Sequence, residues 1–203
     1  MSKALDFTEL EQDLLAEMFN LGVGSAAASL SKMVHQEVLL SVPRVGFIPE
    51  GEVNLLLHTS GRICGVSQQL DGPFHANSML IFPEEHSLEV VALMLGDSYS
   101  REMLIELQPE AFAEIGNIVL NACIGSIAKM LNTHFDVKLP QFKLGNVDEL
   151  LAHRPHQSSG YILLVTIDMR LKSNDVTGYL AFILGTDSME LLQQQLKKIL
   201  THL

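Results

Sequence analysis

The chain contains the same stretch twice. Residues 16–34, A-E-M-F-N-L-G-V-G-S-A-A-A-S-L-S-K-M-V, align without a gap on residues 113–131, A-E-I-G-N-I-V-L-N-A-C-I-G-S-I-A-K-M-L, at an offset of 97. Glu17 falls on Glu114, Asn20 on Asn117, Lys32 on Lys129, Met33 on Met130 and Pro43 on Pro140. Further along the offset reaches 101, where S-L-E-V-V at 87–91 meets S-M-E-L-L at 188–192, a drift that a loop insertion absorbs. Each copy reads as helix, three strands, helix. A three-stranded half-sheet leaves an edge exposed, and joining two halves covers it. The expectation is therefore one α+β domain over residues 1–203. It is a pseudo-twofold duplication, with repeats at about 8–96 and 109–203 and long helices packed on an antiparallel β-sheet.

Local signals divide each repeat. Thr8 and Glu11 form a capping box, and apolar residues recur at helical spacing through Leu10, Leu14, Met18, Leu21, Leu30, Met33 and Val34. This helix is expected to end near 35–37. The segment V-L-L-S-V-P-R-V-G-F-I-P follows as β structure, with Pro43 marking a strand start or sheet edge because proline has no N–H to donate. Val53 to Phe82 reads as strand, broken by D-G-P, and a helix opens at Pro83 and closes at Gly96. In the second repeat Pro109 is expected to open a helix running to about His134. V-K-L-P-Q-F-K-L-G is strand-like, and two further strands are joined through K-S-N-D. Asp187 with Glu190 is expected to cap the last helix.

Hydrophobic residues make up 47% of the chain and charged residues 18%, so a packed core is expected and disorder is not. The longest uninterrupted apolar runs are far short of the roughly 20 residues that span a bilayer. The N-terminus lacks a basic segment followed by an apolar one, so no signal peptide and no membrane insertion are expected, and the protein is placed in the cytoplasm. A net charge of −11 with scattered basic residues argues against nucleic acid as a partner. Cys64 and Cys123 are far apart with no CxxC, and Cys123 reads as a buried structural thiol.

The chemistry is concentrated on the repeated helix. At 3.6 residues per turn, positions 13, 17 and 20 lie within an arc of about 60°, and so do 110, 114 and 117. Each repeat thus carries acid, acid and amide as one polar stripe: Asp13, Glu17 and Asn20, then Glu110, Glu114 and Asn117. A solvated face is one reading, with Asp13 and Glu110 complementing the helix dipole. Asparagine, however, is a mediocre helix former, and here it recurs three residues after a glutamate in otherwise diverged copies.

Asp/Ser-x3-Glu-x2-Asn, then 22 residues, then Pro resembles the signature of the CheC/CheX/FliY phosphatases of bacterial chemotaxis. Asp13, Glu17, Asn20 and Pro43 fit every position. Glu114, Asn117 and Pro140 fit three of four, with Glu110 in place of Asp or Ser. The two-copy arrangement resembles CheC more than the shorter, single-site CheX. FliY would need a further switch-binding domain, for which 203 residues leave no room. The resemblance implies removal of the phosphoryl group from the aspartyl phosphate of a CheY-type response regulator. The regulator would supply the Mg²⁺ and a lysine, so no cofactor of the chain's own is expected.

On that resemblance, Asn20 and Asn117 position the attacking water, since a carboxamide accepts or donates a hydrogen bond without charge. Glu17 and Glu114 pair with the regulator's lysine, and Asp13 and Glu110 support docking. Pro43 and Pro140 read as structural, fixing where the chain passes from helix to sheet. Gly24 is answered by Asn121 on the same stripe, so the two copies are not expected to be equal. The alternative is a non-catalytic adaptor for a receiver domain or a CheD-type deamidase; a flagellar-switch component is a third reading.

Other candidates weigh less. His153 and His156 flank Pro155 with no carboxylate to complete a metal set, so a solvated loop is expected. The methionines fall at core positions, and Lys197 and Lys198 complement the C-terminal dipole of the last helix.

Overall fold

The computed structural model describes residues 7–49, 52, 62–96, 98–151, 161–170 and 175–201. Helix α1 (Glu9–Val34) starts at the Thr8/Glu11 capping box. The Thr8 N–H donates to Glu11 Oε2 at 2.7 Å and the Glu11 N–H to Thr8 Oγ1 at 3.3 Å. It ends at His35, whose φ of 54° reverses the chain. Then come β1 (Leu39–Pro49), β2 (Ile63–Asp71), β3 (Ala76–Pro83), α2 (Glu84–Leu95) and α3 (Arg101–Met130). The second half continues with β4 (Asp136–Val137), β5 (Gln141–Gly145), α4 (Val147–Leu151), β6 (Tyr161–Arg170), β7 (Asp175–Leu184) and α5 (Thr186–Leu200).

The strands form one antiparallel sheet in the order β1-β6-β7-β3-β2, with β4 and β5 both pairing with the outer side of β2. The register is symmetric about its centre. Leu80 of β3 lies opposite Leu180 of β7, and both are buried. Outward from these, Leu80 pairs with Val66 of β2 and Leu180 with Val165 of β6. The two hairpins therefore meet in the middle, and the strands that follow the long helix of each half cross to flank the other half's hairpin: β1 on β6, β4 and β5 on β2. Each crossing strand also breaks register at the same place. β1 shifts between Ser41 and Arg44, around Pro43; the other edge shifts between Val137 and Gln141, around Pro140. A proline nitrogen cannot extend a ladder, and a bulge on an edge strand is where its absence costs least.

The long helices cover one face of the sheet. Leu15, Met18, Phe19, Val23 and Leu30 of α1 and Phe112, Ile115, Val119, Leu120 and Cys123 of α3 are nearly inaccessible. They pack on Val66, Leu80, Phe82, Val165, Leu180 and Phe182. Helices α1 and α3 also pack on each other, and Gly22 permits the contact: a Cβ there would lie 2.6 Å from the Cα of Cys123. On the opposite face Val147 and Leu150 of α4 join Ile63, Met79, Ile81, Ile162 and Leu164 in a smaller cluster. Helix α5 is tied to α1 through buried Glu11, which accepts from Gln193 Nε2 at 3.2 Å and lies 3.9 Å from Lys197 Nζ.

Several expectations are corrected. Helix α3 begins at Arg101 with Ser100 as N-cap, eight residues before Pro109, which lies inside it. Proline removes only one backbone donor, and Ile105, whose carbonyl loses that partner, is 52% exposed and can be solvated. The helix stops at Met130 rather than His134, because Asn132 turns left-handed at φ 48°. Asp187 does not cap α5, whose N-cap is Gly185; Asp187 is already within the first turn. Leu10 and Leu21, counted on the apolar face of α1, are 65% and 53% exposed. Helix α4 was not expected, although N-V-D-E at 146–149 spells a capping box: the Glu149 N–H donates to Asn146 Oδ1 at 2.8 Å and the Asn146 N–H to Glu149 Oε2 at 3.0 Å. The strand reading over 53–61, the K-S-N link and the His153/His156 loop lie outside the described residues.

Helix α3 is by length and composition able to cross a membrane, but half of its most apolar window is buried inside the protein, against α1 and the sheet. Both cysteines are buried and free; burial pushes the Cys123 thiol up to about 12 and the Cys64 thiol further still. Both are inert packing groups.

Candidate functional site

Asp13, Glu17 and Asn20 form an exposed row along α1, while Leu14, Leu15, Met18 and Phe19 on the opposite side are held in the core. The helix is anchored by its capping box, by Glu11 against α5 and by contact with α3. Side chains one turn apart on such a helix keep a fixed spacing. Among the described residues, none of the three has a hydrogen bond or an ion pair. Beside Asn20, Leu21 adds exposed apolar surface. One turn beyond it, Gly24 leaves open space: a Cβ there would meet nothing within 4 Å among the described residues.

The second row is built differently. Glu110 and Glu114 are exposed and unpaired among the described residues, and Asn117 is half-buried. Asn121 Nδ2 donates to Asn117 Oδ1 at 2.7 Å. From below, Gln68 Nε2 of β2 lies 3.5 Å from the same oxygen and 3.4 Å from the carbonyl of Lys138. The Lys138 carbonyl can only accept, so it fixes which end of Gln68 is the NH₂. That in turn fixes the Asn117 oxygen as the atom facing Gln68, and the Asn121 NH₂ as the donor to it. Gln68 reaches Asn117 because Gly116 lets α3 settle on β2: a Cβ on Gly116 would lie 2.6 Å from the Cβ of Val66, two residues from Gln68 on the same strand face. On α1 the corresponding residue is Phe19, which packs on Phe182 with ring centroids 5.3 Å apart. Two residues along from Val165, the register answers Gln68 with buried Ile167.

The dipole reading fails for Glu110. It is the tenth residue of α3, whereas the N-terminal role falls to Glu102, whose carboxyl is held below its usual range by a backbone N–H and by the Ser100 side chain. The sequence reading singled out Asn121 but missed Gln68. Nothing in the spacing of a strand glutamine ties it to a helix 49 residues later, so only the sheet register brings it there. Among the described residues no three His, Cys, Asp or Glu side chains come together as a metal site.

No family model matches the chain. The flagellar motor switch phosphatase FliY of Bacillus subtilis is 23% identical over 146 residues, which is 71% of this chain and 38% of that protein. The crystal structure of Thermotoga maritima FliY superposes with a TM-score of 0.78 at 20% identity, over 96% of this chain and all of that one. In fold the chain is similar to the CheC/CheX/FliY proteins. Two further structures share this CheC/CheX/FliY-like fold. The FliM middle domain from H. pylori has a TM-score of 0.66 at 8% identity, covering 93% of this chain and 99% of that one. CheX in the CheX–CheY–BeF3–Mg complex from Borrelia burgdorferi has a TM-score of 0.52 at 16% identity, covering 83% and 97%. The chain thus spans well under half of the B. subtilis FliY it matches. FliY, set aside above in favour of CheC, is among the proteins to which the chain is similar.

Proposed function

We propose that the chain hydrolyses the aspartyl phosphate of a CheY-type response regulator in the cytoplasm, with the α1 row as the working site. The observation that carries this reading is the unpaired row of Asp13, Glu17 and Asn20 on a firmly anchored helix, with open space at Gly24. A carboxamide with both lone pairs free can accept from a water and point one of that water's oxygen lone pairs at phosphorus. Phosphoryl transfer passes through a loose transition state, so in-line alignment of that water is the main service required. The water oxygen bonds to phosphorus, the bond from phosphorus to the aspartyl oxygen breaks, and inorganic phosphate and a free carboxylate leave. Glu17, one turn before Asn20, pairs with a lysine of the regulator, and Asp13 extends the acidic contact. Asn117 and Glu114 are the corresponding groups of the second row. Mg²⁺ is supplied by the regulator, in keeping with the Mg present in the CheX–CheY–BeF3–Mg complex.

Phosphate loss from a phosphorylated CheY-type regulator with Mg²⁺ is the test, comparing wild type with Asn20→Ala, Asn117→Ala and the double variant. Asn20→Ala is expected to slow release at least tenfold, about 1.4 kcal/mol of barrier, and Asn117→Ala to have the smaller effect. If all four proteins release phosphate alike while still binding the regulator, the catalytic assignment fails. The second reading, a binding module for a receiver domain, CheD or the flagellar switch, then stands. The observation in its favour is the likeness to the FliM middle domain.

A further inference from the structure

We infer that Asn121, backed by Gln68, is the determinant that keeps the second motif out of catalysis. This rests on the phosphatase reading above. To align a water, Asn117 needs a free lone pair on its carboxamide oxygen. One is taken by Asn121 Nδ2 at 2.7 Å and the other faces Gln68 Nε2 at 3.5 Å.

Gln68 is not in place as a core filler. It is 2% exposed, its Oε1 has no hydrogen-bond partner among the described residues, and the corresponding place in the other half is filled by Ile167. An unpaired buried acceptor is unfavourable, so an apolar residue would serve packing better. What Gln68 does do is hold the Asn117 oxygen turned toward the sheet while Asn121 closes over it from solvent. Neither contact exists at the first motif, where Gly24 has no side chain and Ile167 no polar side-chain atom. Asn121 is therefore a negative positioning residue: it touches neither water nor phosphate but withholds the group that would.

The decisive measurement is phosphate release from a phosphorylated receiver domain by Asn20→Ala, which leaves only the second motif. It is compared with Asn20→Ala/Asn121→Ala, where alanine preserves the helix. The double variant is expected to be about three- to tenfold faster in kcat with KM unchanged, the fold-change of releasing one hydrogen bond. The reciprocal variant is Gly24→Asn in the wild-type chain. The open space accepts the side chain, and release is expected to slow by a similar factor without loss of thermal stability. If Asn20→Ala/Asn121→Ala is no faster than Asn20→Ala in a chain whose wild type is active, the clamp is overturned and the phosphatase reading survives. An Asn20→Ala chain as fast as wild type also overturns the clamp. A wild-type chain that leaves the regulator phosphorylated overturns the phosphatase reading, and the clamp with it.

Discussion

The two polar rows start from nearly the same residues and end in different environments. On α1 the row stands clear, with Phe19 packed on Phe182 beneath it and Gly24 beyond it. On α3, Gly116 brings the helix down onto Val66, and Asn117 is caught between Asn121 above and Gln68 below. The difference does not lie in Glu and Asn themselves, which both rows keep. It lies in one residue just before Asn, one residue a turn later and one position on a strand. On the phosphatase reading proposed above, a catalytic motif is a statement about side chains that must also be left free, and freedom is set by neighbours that the motif does not include.

That contrast can be broken at its supports. Phe19→Ala removes a fully buried ring under the first row and is expected to cost about 3–5 kcal/mol of stability, seen as an earlier denaturant midpoint. A chain that loses less than about 1 kcal/mol would show that Phe19 does not support α1.

Gly116→Ala puts a methyl against the stiff Cβ of Val66 and is expected to cost about 1–3 kcal/mol. It also lifts Asn117 away from Gln68, so the Asn117 side-chain amide resonances should move. Unmoved resonances would mean the close approach does not set the Gln68 contact.

A further lever is pH. The buried Cys123 thiol of α3 stands where α1 has Ala26, and its folded pKa is raised from 9.0 to about 12. The folded chain therefore keeps a proton that the unfolded chain loses. Its contribution is whole below pH 9 and drains away as pH climbs toward about 12, by about 1.4 kcal/mol per pH unit. Buried Cys64 acts in the same direction. Unfolding curves that stay flat from about one pH unit above 9.0 onward would show that neither thiol stays protonated on folding.

Much of this was legible in one dimension because it rests on local physics. The Thr8/Glu11 box marks the start of α1, and Gly96, at φ 88°, marks the end of α2. Alternation and turn residues located β1, β3, β6 and β7, and helical spacing put Glu17 and Asn20 on one face, as it did Glu114 and Asn117. Pro109 misled, because a proline that ordinarily opens a helix can also sit inside one whose core face is already well packed. Leu10 and Leu21 misled because periodicity gives a face but not what covers it.

The sequence by itself determined the two helical stripes, the α+β class and the inequality of Gly24 and Asn121, since each depends on residues within a few turns of one another. Only the tertiary structure decided that the edge strands of each half cross to the other half's hairpin, that Pro43 falls at a register shift in β1 and Pro140 in the break between β4 and β5, and that Gln68 reaches Asn117. Those depend on sheet register and on how closely a helix settles on a strand, and both are fixed by packing among residues far apart in the chain.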